Sequence, residues 1–154
     1  MLQIDIVGFD PITYDLKLEV GGNPNNGNSG ANRTERVHWK VKTGYGVDYI
    51  DNIKMKNIAG STDIFSGSEP VPQGGDKKHW KGVVNGNAKD YDVYVYKIMW
   101  VKEHETTPRT FDPIISIKPD TYFAQILPAL AVVLGLVSIS LLFSSKKKKS
   151  KKPY

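Results

Sequence analysis

The feature that most constrains this 154-residue chain is a charge-free run of 22 residues, YFAQILPALAVVLGLVSISLLF, bounded by Tyr122 and Phe143. As a helix rising 1.5 Å per residue it would be about 33 Å long, enough for a hydrocarbon layer about 30 Å thick. Beyond the tyrosine hydroxyl at its edge, its polar side chains are Gln125, Ser138 and Ser140. Tyr122 and Phe123 stand at its start, where aromatic rings favour the membrane interface. Pro128 lies near the same end, where a lost backbone hydrogen bond costs least. A core helix of a soluble protein is seldom apolar on every side for that length, and seldom runs into lysines. The run therefore predicts one transmembrane helix over residues 121–143, a domain over residues 1–120 before it, and a tail over residues 144–154.

Ala131 and Gly135 are four apart, with Ser138 near the same face. Small residues at that spacing let helices approach closely, so self-association through this face is expected. The tail carries Lys146, Lys147, Lys148, Lys149, Lys151 and Lys152. It is expected to be solvated and held against anionic lipid head groups. Without these six lysines the chain has 15 basic against 16 acidic residues, so the domain is near neutral. The overall positive charge therefore gives no argument for nucleic acid as a partner.

Orientation is signalled in two directions. The lysine tail, by the positive-inside bias, would sit in the cytoplasm and place the domain outside. Residues 1–9, however, lack the basic n-region and the long apolar segment of a secretory leader. A tail anchor with a cytosolic domain needs only the last 11 residues to cross, and the balance leans to that arrangement. Cell-wall sorting and lipid-anchor signals fit less well: no Thr-Gly follows Leu127-Pro128, and the tail is charged.

Before the apolar run, alternation with period two dominates and no helical stripe of ten or more residues occurs. Leu2, Ile4 and Ile6 form one strand pattern; Tyr14, Leu16, Leu18 and Val20 form the next; Val37, Trp39 and Val41 form a third. Residues 47–56 read as a strand with a bulge, 80–84 as a short strand, 91–102 as the longest, and 114–117 as the last. Residues 21–34, GGNPNNGNSGANRT, have almost nothing to pack and are expected to be a loop, mobile or shaped by a partner. Residues 58–78 are a second long connection, with Ile64 and Phe65 as its apolar anchor.

About seven short strands separated by turn signals predict a mainly β fold: a single antiparallel β-sandwich, immunoglobulin-like or cupredoxin-like. The longest strand carries bulky groups on both faces. Such a strand is central, or it exposes an aromatic strip for binding; Tyr94, Tyr96 and Trp100 are the candidates for that strip.

The search for chemistry gives little. The chain has no cysteine, which excludes disulfides, thiolate catalysis and a blue-copper centre. His38, His79 and His104 show no ligand spacing and read as ordinary surface histidines, so no metal or cofactor is expected. Asp48, Asp51, Asp63 and Asp112 are not paired by any motif, and no nucleophile elbow or phosphate-cradling loop occurs. Asn32-Arg33-Thr34 matches a glycosylation acceptor, a frequent chance occurrence. Three readings follow. The first is a membrane-anchored binding module that recognises a protein or glycan through loops and the Tyr-rich strand. The second is a membrane-active effector or complex subunit whose helix self-associates. A histidine-dependent metalloenzyme is the third and weakest.

Overall fold

The computed structural model describes residues 1–66 and 70–119. The expected span from Tyr122 to Phe143, the Ala131, Gly135 and Ser138 face, and the tail lysines Lys146, Lys147, Lys148, Lys149, Lys151 and Lys152 lie outside the described residues. Among the described residues no helix is long and apolar enough to cross a membrane.

The period-two patterns become strands with one buried face. Leu2, Ile4 and Ile6 point inward from β1 (Leu2–Phe9), and Leu16 and Leu18 from β2 (Leu16–Val20). There follow β3 (Asn23–Asn25), β4 (Asn28–Ala31), β5 (Arg36–Val41), β6 (Val47–Met55) and β7 (Val71–Pro72). The remaining strands are β8 (His79–Val83), β9 (Val93–Lys102), β10 (Arg109–Phe111) and β11 (Ile114–Ile117).

The fold is mainly β, with two sheets. One has the order β3-β2-β1-β5-β8-β7. In the other, β9 pairs along one edge with β6 and along its other edge with β10 and then β11, and β11 continues to β4. The sheets are mixed, which corrects the expectation of a purely antiparallel arrangement: β1 runs parallel to β5, and β4 parallel to β11. The cause is a crossing between sheets. After β3 the chain joins the second sheet as β4, then returns to the free edge of β1 as β5, in the same direction as β1. A hairpin could give only an antiparallel neighbour.

Residues 21–34 therefore depart from the expected loop, since they supply both β3 and β4. Small side chains make this possible: Ala31 is fully buried and Ser29 nearly so, while Gly30 passes so close to the Lys118 side chain that a Cβ would lie 2.6 Å from its Cε. The expected bulge in β6 is present, with register shifts between Val47 and Tyr49 and between Ile50 and Asn52.

Both sheets contribute to one core. Ile4, Ile6, Trp39 and Val41 from the first sheet meet Ile50, Ile53, Tyr94, Tyr96, Ile98 and Trp100 from the second. Trp39 Nε1 donates to the Tyr96 hydroxyl at 3.0 Å across the core, with the rings edge to face. Phe65, from the connection before β7, inserts against Trp39 and Tyr94, and Ile64 beside it is fully buried. That connection is thus pinned where its two apolar residues stand.

The central position of β9 settles its double-sided pattern. Tyr94, Tyr96 and Trp100 have no exposed area, so the expected aromatic binding strip is the core itself. With sheet neighbours on both edges, the face of β9 carrying its largest rings turns to the other sheet, where their burial is worth most.

Candidate functional site

Two features stand out on the surface: a cluster of loops at one end, and a histidine pair on the outer face of the first sheet.

Strands β1, β5 and β9 finish at the same end. Gly46 accepts a hydrogen bond from the Glu103 amide at 2.9 Å, and Gly8 approaches Tyr45. Three connections, residues 10–15, 42–46 and 103–108, therefore gather there. At the opposite end β11 delivers the chain to Pro119, where Tyr91 N donates to Ile117 O and Lys118 N to Ala31 O.

The first loop is held by local chemistry. The Asp10 carboxylate accepts from the amides of Ile12 at 2.7 Å and Thr13 at 3.0 Å, and its carbonyl accepts from Tyr14 N. An aspartate bonding to the backbone two residues on is a standard turn-maker, and these bonds, from Thr13 first and then Ile12, hold its carboxyl below the ordinary value. Tyr14 takes a positive φ of 62° to close the turn, and its ring stacks on Phe9, which in turn rests on Trp100. Arg109 lays its guanidinium 3.6 Å over the Tyr14 ring. Glu105 fixes that arginine at 2.8 Å and also holds Lys102 at 2.8 Å. Those two bonds, Lys102 first, keep its carboxyl below the ordinary value. On this braced base Ile12 is 85% exposed and Tyr45 56% exposed.

The second feature comes from a repeated triplet. His38-Trp39-Lys40 on β5 and His79-Trp80-Lys81 on β8 pair antiparallel, with Trp39 opposite Trp80. His38 then faces Lys81, and Lys40 faces His79. The two histidines become diagonal neighbours, with Nε2 of His38 3.2 Å from Nδ1 of His79 and ring centroids 5.3 Å apart. Partial burial, then the charges of His79, Lys81 and Lys40, hold the His38 imidazole below its ordinary value; Asp5 acts in the opposite sense.

Sequence spacing hid this pair, because 41 residues separate the two histidines. The one hint in the sequence is the repeat itself: two His-Trp-Lys triplets with both tryptophans inward bring the histidines to one outer face once their strands pair in the same sheet. His104 stands apart, exposed in the loop after β9. Asp51 and Asp48 engage Lys77 and Lys78, Asp112 engages Lys56, and Asp63 accepts from the Phe65 amide. Asn32 is tied to Glu35 through its backbone and side-chain nitrogens.

No protein-family model and no curated protein matches the chain.

Proposed function

We propose that this protein is a membrane-anchored recognition module. In this reading residues 1–119 form a β-sandwich of immunoglobulin-like or cupredoxin-like topology. Residues 122–143 span the bilayer, and the lysine tail lies against anionic head groups. A protein partner binds the three-loop end.

The observation that carries the reading is the contrast at residues 10–15. Ile12 is a large apolar side chain left 85% exposed on a turn tied by an aspartate cap, a stacked tyrosine and an arginine. A braced loop loses little conformational entropy on binding, and exposed apolar groups at its tip supply area to bury. Pro119, the last residue of the β unit, follows β11 at the end opposite these loops.

The test is a photo-crosslinking residue placed at Ile12 or Tyr45 of the full chain in intact cells, compared with the same residue at Tyr91. A discrete protein adduct from the loop positions and none from Tyr91 is expected. Identical patterns from all three positions, or no adduct from the loops, would overturn the reading.

A further inference from the structure

The outer face of β1, β5 and β8 carries a site of a different kind. We propose that His38 and His79 form a two-histidine site for a divalent transition-metal ion of the copper, nickel and zinc series.

The separation of the two nitrogens is the argument. Metal–imidazole bonds of about 2.0–2.1 Å place two nitrogens roughly 3.3 Å apart at a tetrahedral angle and roughly 2.9 Å apart at a right angle. His38 Nε2 and His79 Nδ1 are 3.2 Å apart, within that interval, so neither strand has to move. Without metal the contact is a hydrogen bond in which one imidazole donates. On binding, that ring shifts its proton to its other nitrogen, and both lone pairs go to the metal in exchange for water; no net proton is lost. The ligands sit on hydrogen-bonded strands, β5 between β1 and β8, and β8 between β5 and β7. Such elements hold ligand geometry better than loops do.

The surroundings set the kind of site. Lys81 faces His38 and Lys40 faces His79, and both cations oppose a metal. Gln3 lies beside His38 on β1, and Asp5 lies beside Lys40. Asp5 accepts from the Gln3 amide at 2.8 Å and pairs with Lys42 at 3.3 Å. Among the described residues no three metal-ligating side chains converge, so water completes the coordination shell. The cationic flanks make copper(II) the best probe, since it binds nitrogen ligands most tightly in the first-row series.

The experiment is a titration of the purified, tag-free full chain with copper(II) chloride, followed by electron paramagnetic resonance. One equivalent bound with the nitrogen signature of two imidazoles is expected. His38→Ala or His79→Ala should weaken binding by more than the roughly 10–100-fold that loss of an outer-shell partner brings, and His104→Ala should leave it unchanged. His38→Asn and His79→Asn serve as second variants that keep a polar group on this face. Circular dichroism of each metal-free variant verifies the fold. Copper bound as tightly by the folded His38 and His79 variants as by the parent chain would overturn the assignment, as would a parent chain that binds none.

Discussion

Replacing Tyr96 by phenylalanine removes one oxygen from the middle of the core. Tyr96 and Trp39 are both fully buried, and the hydroxyl accepts the Trp39 indole N–H at 3.0 Å. Phenylalanine keeps the ring and its edge-to-face contact with Trp39 but leaves that N–H without an acceptor, out of reach of water. A buried donor stranded in this way costs about 1–3 kcal/mol. With a urea dependence of about 1–3 kcal/mol per molar, a loss of about 2 kcal/mol lowers the unfolding midpoint by roughly 1 M. The chain has three tryptophans, Trp39, Trp80 and Trp100, all in the β unit, so fluorescence reports on this core alone. Burial pushes the Tyr96 hydroxyl above its ordinary value by more than the Trp39 bond lowers it. The hydroxyl is thus neutral throughout the accessible range, and the loss should not vary between pH 6 and 9. The double variant Trp39→Phe, Tyr96→Phe should lose less than the two single losses added, because neither polar group then remains. A Tyr96→Phe change below about 0.5 kcal/mol would refute the reasoning and return Tyr96 to the surface role that its sequence pattern also allowed.

Other consequences follow from the same geometry. Gly82→Ala places a Cβ 2.6–2.7 Å from the Phe65 ring, and thermal unfolding should show a loss of about 1–3 kcal/mol from overpacking. Arg109→Lys keeps the charge but loses the planar stack on Tyr14; hydrogen exchange should speed up at residues 10–15 and stay constant in β9. Burial acts to raise the Glu35 carboxyl, but the Asn32 amide and the Met1 ammonium outweigh it, so its folded value lies below 4.5. Its contribution is therefore present above about pH 4.5 and lost as pH falls through the folded value, and the stability gap between the parent and Glu35→Gln should close there. If the helix face of Ala131 and Gly135 drives self-association, Gly135→Leu should shift the full chain toward monomer in detergent, read by crosslinking.

Much of the sheet architecture was legible because period two survives in the strands that bury one face. Ile4, Ile6, Leu18, Val37, Trp39 and Val41 all point inward as their alternation predicts. What was not legible depends on pairing. Residues 21–34 have no alternation of their own, and β4 exists because β11 offers it an edge. Tyr94, Tyr96 and Trp100 looked equally suited to a core and to a binding strip; only their neighbours on both edges decide. His38 and His79 are joined by the β5–β8 register, a relation between distant residues that local pattern does not contain. The loop cluster was hidden for a similar reason, since Tyr14, Arg109 and Glu105 meet only once β1, β9 and β10 are in place.

Membrane attachment is the claim on which the proposed role rests, and alkaline extraction of membranes from cells expressing the full chain tests it directly. The full chain should stay in the pellet, and a chain ending at Pro119 should be released to the supernatant. Release of the full chain by the same treatment would contradict the anchor and, with it, the tethered recognition module.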